Sequence, residues 1–422
     1  MRLDIDGRNC ELESGRSILD AAKKEGLDSI MLSDRPLAAQ IGGEVFNLRF
    51  TPKKDTQIHL LRYGEDMGRR VYERTLQFLF ILAMRKEFPR ARVCVRYSLG
   101  PGLFITVDGM EEPFNEEAAL KVETEMRRLV RLKLPLERRR ISIKEALSFY
   151  EQDGQADKAK LLKWRRFSYF DVYQIDGYMD YFYGEMAPDT SYADVFRVKY
   201  VHDGAVVLLM PRNDAPDVPS DYVDLPKLNA VFHQSDEWGR LMECATVNDL
   251  NTHIQNGTIR ELVRINEALH DRGYADIADK IVQKGAKAVL VAGPSSSGKT
   301  TSAHRISTQL RLQGCHPVML SLDDYYIDRD KIERDENGEI DLENINTLDI
   351  QRFGSDLAAL IRGEKVEVPR FDFTNGKRAP EGRILQLHDD EPVIIEGIHG
   401  LNPMLLSPEV DESKIFRVYV SA

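Results

Sequence analysis

The feature that most constrains this chain is a glycine-bounded loop that follows an apolar run. Val289–Ala292 are all apolar, and Gly293–Thr300 read GPSSSGKT, which satisfies the pattern G-x-x-x-x-G-K-[ST]. A helical pattern begins at once with Thr301. The stretch therefore predicts a strand, a tight loop and a helix that bind phosphate together. The predicted nucleotide-binding residues are Gly293, Pro294, Ser295, Ser296, Ser297, Gly298, Lys299, Thr300 and Thr301.

The residue types in this loop suit a nucleoside triphosphate. Glycines let the backbone curl so that successive N–H groups face phosphate oxygens, and the following helix adds the positive end of its dipole. Lys299 is expected to reach the β- and γ-phosphates, and the Thr300 hydroxyl is expected to ligate Mg²⁺. The alternative is a surface turn that is merely rich in serine and glycine, and the flanking strand and helix distinguish the two.

Acidic residues follow two further predicted strands. His316–Leu322 reads as a strand that ends at Asp323, and Glu391–Gly400 contains an apolar run that closes on Glu396. Because an alternating strand–helix pattern predicts a parallel sheet, the carboxyl ends of these strands meet at one edge. A carboxylate there either accepts the proton of an attacking hydroxyl or holds Mg²⁺, although an acidic pair after a strand is also a common turn.

Aromatic and basic residues occur together between these two strands, in Val368–Arg378. Such a segment can stack a ring and neutralise phosphate, or it can be an ordinary turn with exposed charges. The loop, the SLDDYY segment, the P-x-[FY]-D-[FY]-x4-R segment and the final acid follow the order found in uridine kinases and phosphoribulokinases. On these motifs, residues 286–422 resemble the uridine kinase/phosphoribulokinase family.

The resemblance implies a P-loop kinase with a parallel sheet. Its phosphate donor would be ATP or GTP, its cofactor Mg²⁺, and its acceptor the 5′-hydroxyl of a nucleoside, with a pyrimidine nucleoside favoured. By position, Asp323 would be the general base, and Lys299 and Arg378 would neutralise charge. Thr300 and Glu396 would hold the metal ion. The substrate-binding residues that the resemblance implies are Asp323, Tyr326, Glu343, Phe371 and Arg378.

The sequence also departs from the family pattern. Uridine kinases have a histidine where this chain has Gly376, and His399 is typical of phosphoribulokinases, so another sugar or sugar phosphate stays open as the acceptor. His399 is alternatively a structural histidine with satisfied hydrogen bonds. Relatives continue beyond the strand predicted in Lys414–Ala422 with a helical lid that bears arginines. We therefore expect an incomplete kinase domain that binds nucleotide and turns over weakly or not at all.

The first part of the chain resembles modules of threonyl-tRNA synthetases. Residues 1–62 contain an Asp6-Gly7 turn, a helix from Ser17 and the segment Leu37–Phe46. These features resemble the TGS domain, a β-grasp module that is named for threonyl-tRNA synthetase, a GTPase and a stringent-response enzyme. A generic ubiquitin-like fold with an unrelated role is the alternative, because β-grasp folds host many functions.

Residues 63–235 resemble the α+β second additional domain of threonyl-tRNA synthetases. In the relatives this domain edits mischarged tRNA with a metal held by two histidines on a helix and a later cysteine and histidine. In this chain Arg74 and Phe78 align with the paired histidines, and Pro226 aligns with the cysteine. We therefore expect neither zinc nor editing activity. Residues 236–284 are predicted to form a helical connector to the kinase domain, residues 285–422.

Charge raises a second hypothesis for the front of the chain. The net charge of −11 over 422 residues disfavours an extensive nucleic-acid footprint. Lys121–Arg166 nevertheless holds 14 Lys/Arg against 7 Asp/Glu, and it is either an RNA-facing patch or a set of solvated helix faces. The first interpretation gives an RNA- or ribosome-associated regulatory protein whose nucleotide site is a switch. Pro211–Pro226, which is rich in proline, is predicted to be a surface loop.

The remaining expectations concern location and partners. Four widely separated cysteines fit a reducing cytosol, and the absence of an apolar segment near the first residue predicts no signal peptide. No apolar run approaches the length of about 18 residues that a membrane span needs. We expect a cytoplasmic protein with a nucleoside substrate and no membrane partner. Contact between RNA and the front modules stays an open alternative, as does self-association.

Overall fold

The computed structural model describes residues 2–202, 204–334, 338 and 340–421. The chain divides into two units, Met1–Thr252 and His253–Ala422. Both units combine helices with β-strands, and the second contains a parallel sheet, so the predicted mixed α/β class is confirmed. Within the described residues, every helix is too short or too polar to cross a bilayer. The bounds of the four domains predicted from the sequence stay predictions.

A five-stranded sheet and one helix come first in the chain. They are β1 (Arg2–Ile5), β2 (Arg8–Glu11), α1 (Ile18–Lys24), β3 (Ala38–Ile41), β4 (Glu44–Phe46) and β5 (Thr56–Leu61). The strand order is β2-β1-β5-β3-β4, in which β1 and β5 are parallel and the other neighbours antiparallel. A capping box starts α1, because the Ser17 hydroxyl accepts from the Asp20 N–H and the Asp20 carboxylate accepts from the Ser17 N–H.

The next part contains two small sheets and four helices. Its elements are α2 (Asp66–Glu87), β6 (Arg92–Leu99), β7 (Gly102–Asp108), α3 (Glu116–Leu132), β8 (Glu137–Ser142), α4 (Ile143–Gln152), α5 (Ala156–Leu162), β9 (Tyr169–Ile175), β10 (Tyr178–Asp180), β11 (Arg197–His202) and β12 (Ala205–Leu209). An antiparallel sheet in the order β11-β12-β7-β6 shares one hydrophobic core with α2 and α3. A second sheet, β10-β9-β8, packs with α4 and α5 around Tyr150 and Phe170.

The proline-rich stretch that was predicted to be a loop contains a short hairpin. Its strands are β13 (Pro211–Arg212) and β14 (Ala215–Pro219). Proline is tolerated there because an edge strand does not need every backbone N–H for pairing. Two helices follow, α6 (Pro226–Leu241) and α7 (Val247–Asn256), in which none of the described residues is buried. The boundary between the two units falls within α7.

The second unit is built around a parallel sheet. Its elements are α8 (Ile259–Lys284), β15 (Ala288–Ala292), α9 (Lys299–Leu312), β16 (Val318–Ser321), α10 (Ile350–Ile361), β17 (Val366–Val368), β18 (Phe371–Asp372), β19 (Lys377–Arg378), β20 (Arg383–Leu385), β21 (Val393–Glu396) and β22 (Ile415–Tyr419). The order β16-β21-β15-β22 is parallel throughout. The pairs β17–β20 and β18–β19 form two small antiparallel ribbons beside it.

The central strand of this sheet is buried on both faces. Ala288 and Leu290 lie in the core formed with α10, and Val289 and Val291 lie in the core formed with α8 and α9. A run of apolar residues without alternation is typical of such a strand, because helices cover a parallel sheet on both sides. The carboxyl ends of β15, β16 and β21 therefore share one edge of the sheet.

Candidate functional site

The glycine-bounded loop lies between β15 and α9. A β-carbon at Gly293 would lie 2.1 Å from the Val420 carbonyl oxygen and 2.7 Å from Ser297 Oγ. These separations are far below van der Waals contact, so only glycine fits where the loop leaves the sheet. Ser296 and Gly298 have positive φ angles of 60° and 87°, and they turn the chain into the helix. The local structure is the strand, loop and helix that the sequence predicts.

The first turn of α9 has unused hydrogen-bond donors. No side chain of the described residues caps this helix, and Ser297 Oγ is buried without a hydrogen-bond partner among them. The first N–H groups of a helix have no intrahelical acceptor, and the helix dipole attracts anions to them. Lys299 Nζ donates to the Pro294 carbonyl oxygen at 2.8 Å. The loop therefore fits a chain of phosphates, which would supply acceptors to all of these groups.

Two carboxylates lie at the ends of neighbouring strands, joined by a serine. Asp323 follows β16 in a short 3-10 helix, Glu396 ends β21, and Ser321 pairs with Glu396 in the parallel register. Ser321 Oγ donates to Glu396 Oε1 at 3.2 Å and accepts from the Asp323 N–H at 3.2 Å. Ser321 was not among the predicted site residues. Ser321 is the first residue of the SLDDYY segment and the last residue of β16, and that position was the available signal.

The pKa of Asp323 responds to two other residues of the predicted site, Lys299 and Glu396. Burial raises the pKa of Asp323, the charges of Glu396 and Asp324 raise it further, and the Lys299 ammonium lowers it. Lys299 and Glu396 must therefore both lie close enough to act on the Asp323 carboxylate. A raised pKa makes a carboxylate a stronger base in its ionised form. The structure thus places Lys299, Asp323 and Glu396 at one edge of the sheet.

Aromatic side chains form a cluster next to these carboxylates. The ring centroids of Tyr326 and Phe371 lie 5.7 Å apart, and Phe373 lies 5.1 Å from Phe371 and 6.4 Å from Tyr326. The Phe371 N–H donates to Asp324 Oδ1 at 3.3 Å, which links the cluster to the acidic segment. Phe373 is exposed and was not among the predicted residues. Tyr326 and Phe371 lie together, as a shared pocket requires.

Glu343 and His399 lie on the same side of this unit. Glu343 is exposed, and its charge adds to the effects of burial and of Asp323 in raising the pKa of Tyr326. Burial lowers the pKa of His399, and the charges of Asp341 and Glu343 oppose that change. His399 Nε2 is buried without a hydrogen-bond partner among the described residues. A hydrogen bond to the Glu343 backbone also raises the pKa of His399, so the ring is partly satisfied and Nε2 is the nitrogen left without a partner.

The position where uridine kinases have a histidine is crowded by the Arg329 side chain in this fold. Gly376 has a φ angle of +66°, and a β-carbon there would lie 2.6 Å from Arg329 Cδ. The Arg329 N–H also donates to the Gly376 carbonyl oxygen at 2.9 Å. A histidine at this position would therefore displace Arg329 and strain the turn.

Arg378 makes its contacts within the protein. Its guanidinium lies 2.9 Å from Asp349 Oδ2, and it donates to the carbonyl oxygens of Tyr326 at 3.2 Å and Tyr325 at 3.3 Å. The Arg378 N–H donates to Asp328 Oδ1 at 2.9 Å. Arg378 thus lies beside the acidic segment, and its charge is paired with Asp349.

In the first unit, the positions aligned with the synthetase metal ligands serve packing and local hydrogen bonding. Arg74 Nε donates to the Glu185 carbonyl oxygen at 2.9 Å. Phe78 is buried, and its ring lies 5.8 Å from that of Tyr178 and 5.4 Å from that of Phe182. Pro226 is the first residue of α6, where its missing N–H costs no hydrogen bond.

Comparison with known proteins divides the chain in a similar way. Residues 288–421 match the model of the Phosphoribulokinase / Uridine kinase family. The N-terminal region is similar to threonine–tRNA ligases. The ligase of Clostridium kluyveri is 25% identical over 194 residues, which is 46% of this chain and 30% of the relative. That of Desulforamulus reducens is 26% identical over 157 residues, which is 37% of this chain and 24% of the relative. The chain therefore spans less than a third of these curated relatives.

Two solved structures resemble part of the chain. A structure described as a possible uridine kinase from Bacillus stearothermophilus is 25% identical, and the match covers 35% of this chain and 79% of that chain with a TM-score of 0.28. D-glycerate 3-kinase from Cryptococcus neoformans is 19% identical over 30% of this chain and 52% of that chain, with a TM-score of 0.24. With TM-scores this low, we draw no inference from either likeness.

On the strength of the family match, residues 288–421 form a domain of the Phosphoribulokinase / Uridine kinase family. This domain follows an N-terminal region that is similar to threonine–tRNA ligases.

Proposed function

We propose that the C-terminal domain transfers the γ-phosphoryl group of ATP or GTP to the 5′-hydroxyl of a nucleoside, with a pyrimidine nucleoside such as uridine or cytidine as the favoured acceptor. The family match supports a phosphotransferase. The observation that carries the proposal is the meeting of Lys299, Asp323 and Glu396 at one edge of the sheet, beside a loop with unused donors. Another sugar or sugar phosphate is the alternative acceptor.

The loop and its flanking residues would bind the nucleotide and Mg²⁺. The residues Gly293–Thr301 would hold the phosphates through backbone N–H groups, and Lys299 would exchange its contact with Pro294 for the β- and γ-phosphates. Mg²⁺ is commonly held by one or two protein groups together with phosphates and water. The exposed Thr300 hydroxyl and the Glu396 carboxylate are oxygen donors of that kind, so these residues fit the ion. Bound Mg²⁺ would neutralise charge on the phosphates.

Asp323 would act as the general base. In its ionised form it would accept the proton of the acceptor hydroxyl as that oxygen attacks the γ-phosphorus. Its raised pKa strengthens it as a base, and Lys299 keeps it from rising further. Protonation of Asp323 removes the base. As the pH is lowered, we therefore expect the transfer rate to begin falling at a higher pH than the ordinary pKa of an aspartate would give.

The acceptor would lie against the aromatic cluster. Tyr326 and Phe371 supply ring faces for a base or apolar surface for a sugar. Glu343 would accept hydrogen bonds from sugar hydroxyls, and the unpartnered Nε2 of His399 is a second candidate for such a bond.

The first unit is proposed to carry the accessory modules. The sheet order β2-β1-β5-β3-β4 with a parallel central pair supports a β-grasp TGS domain in residues 1–62. The match to threonine–tRNA ligases supports an additional-domain-like module, which we assign to residues 63–235. We assign the helical connector to residues 236–284 and the kinase domain to residues 285–422, and the family match to residues 288–421 supports the latter. A cytoplasmic location is part of the same proposal.

A role in binding RNA is the second candidate function, favoured by the ligase similarity. Two arginines of the basic cluster Arg138–Arg140 are paired, since Arg138 contacts Asp171 and Glu185, and Arg140 contacts Asp171 at 2.8 Å. RNA would have to compete with these carboxylates. We expect weak, salt-sensitive binding of tRNA that is lost in a variant with Arg138, Arg139 and Arg140 changed to Gln. Salt-insensitive binding, or binding that survives this variant, would remove the cluster as the contact surface.

The kinase proposal is tested with Asp323→Asn. Uridine, cytidine and ribulose 5-phosphate are offered with ATP and with GTP, and nucleotide affinity is measured separately by calorimetry. We expect the transfer rate to fall by at least about 100-fold while the nucleotide Kd stays within about twofold, because a general base acts on the acceptor. The control is Asp330→Asn, an exposed carboxylate that pairs with Lys377 at 3.2 Å. Full activity in Asp323→Asn would contradict its role as base.

A further inference from the structure

The guanidinium of Arg378 joins three segments of the second unit. It pairs with Asp349 Oδ2 at 2.9 Å, immediately before α10, and it donates to the carbonyl oxygens of Tyr325 and Tyr326 at 3.3 and 3.2 Å. Arg378 itself belongs to β19, in the β18–β19 ribbon. One side chain thus links the ribbon, the segment after Asp323 and the start of α10.

Asp349 is engaged at each of its polar groups. Its N–H donates to the Tyr325 carbonyl oxygen at 2.9 Å. Its Oδ1 accepts from the Arg352 N–H at 3.1 Å and so caps α10, while Oδ2 takes Arg378. The two side chains are 25% and 29% exposed, so the pair is partly shielded from water and each charge depends on the other.

The segment Asp323–Asp328 also makes hydrogen bonds to the residues before α10 and to the β18–β19 ribbon. On one side, the Ile327 N–H donates to the Thr347 carbonyl oxygen at 2.9 Å. On the other side, Asp324 Oδ1 accepts from the Phe371 N–H at 3.3 Å and Asp328 Oδ1 accepts from the Arg378 N–H at 2.9 Å. The segment Asp323–Asp328 is therefore held between the residues before α10 and the ribbon.

We propose that Arg378 and Asp349 form an ionic clasp that positions the segment carrying Asp323, and that Arg378 is a positioning residue that does not bind phosphate. The inference rests on the proposed function for its kinetic consequence. A planar guanidinium can serve one carboxylate and two carbonyls at once. A phosphate would have to compete with Asp349 and the two carbonyls for the same donors. Here the positive charge of Arg378 is paired with the Asp349 carboxylate.

The test is a double-mutant cycle with Arg378→Gln, Asp349→Asn and the double variant. We expect each single variant to lower kcat by about tenfold or more through misplacement of Asp323, with the nucleotide Kd unchanged. The double variant should be no slower than the slower single variant, because both changes open the same clasp. Hydrogen exchange of the amides in Tyr325–Asp328 should be faster in all three. The matched control is Lys377→Gln, which breaks the exposed pair with Asp330 and should change none of these values.

The outcomes separate the clasp from a phosphate contact. A weaker nucleotide Kd in Arg378→Gln, together with full activity in Asp349→Asn, would overturn the inference. If the unmodified chain phosphorylates no acceptor, the proposed function fails, and the exchange and affinity measurements still decide the clasp. In that case faster exchange in Tyr325–Asp328 with unchanged nucleotide Kd supports the clasp, and unchanged exchange in Arg378→Gln overturns it.

Discussion

Helix α2 in the first unit and the edge of the parallel sheet in the second differ in how their polar groups are used. On α2, the two positions that align with metal-binding histidines in the synthetases hold Arg74, which donates to a carbonyl, and Phe78, which is buried among rings. At the sheet edge, Ser297 Oγ and His399 Nε2 are buried without partners among the described residues, and burial raises the pKa of Asp323. Buried polar groups without partners are stabilised when a ligand supplies hydrogen bonds or charge, whereas groups that already have partners are not.

The cations of the two regions follow the same contrast. Arg138 and Arg140 of the first unit are tied to Asp171. Lys299 of the second unit donates only to a backbone carbonyl among the described contacts, and it acts on Asp323 through space. A lysine whose charge is free can meet phosphate without first breaking an ion pair. At these positions, therefore, the second unit has a lysine that is free of ion pairs among the described contacts, whereas the two arginines of the first unit are already paired.

The largest effect is expected for Lys299→Met, and this variant tests the contrast between the two units most strongly. The loss of one preorganised charge at the phosphoryl group should lower the transfer rate by about 100- to 1,000-fold and weaken nucleotide binding. The measurement is transfer rate and nucleotide affinity, with the thermal midpoint recorded to show that the fold persists. Lys287→Met is the control, because Lys287 Nζ donates to the Asp389 carbonyl oxygen at 2.7 Å, away from the loop. Unchanged nucleotide affinity in Lys299→Met would contradict the assigned site.

A smaller effect is expected for Arg74→Ala in the first unit. The change removes the hydrogen bond to the Glu185 carbonyl, so we expect unfolding of this unit to become easier by about 1–2 kcal/mol. Nucleotide affinity and transfer rate should not change. Denaturant unfolding of the whole chain checks the first point, with the exposed Arg70→Ala as control within about 0.5 kcal/mol. A change in nucleotide affinity would show that the two regions are not as distinct as their contacts indicate.

The sequence predicted those parts of the site that depend on local pattern. The apolar run before Gly293 and the motif after it predicted β15, the loop and α9. The strand pattern placed Asp323 and Glu396 at the ends of β16 and β21, where the structure has them. These features follow from neighbouring residues and from the common edge of a parallel sheet.

The parts that the sequence did not predict depend on distant partners. Arg378 was expected to face phosphate, and its pairing with Asp349 arises because the ribbon and the start of α10 meet in space. Ser321 acquires its role only when β16 and β21 pair in register. The β13–β14 hairpin was hidden by its prolines, which weaken the strand signal without preventing a two-stranded pairing.

The most direct test of the account is hydrogen exchange of the intact chain with and without saturating Mg²⁺ and ATP. If a triphosphate lies in the loop and faces Asp323, the amides of Gly293–Thr301 and of Ser321–Tyr326 should exchange more slowly with nucleotide, and those of residues 2–202 should not change. Protection confined to the first unit, or no protection of Gly293–Thr301 at saturation, would contradict the central claim.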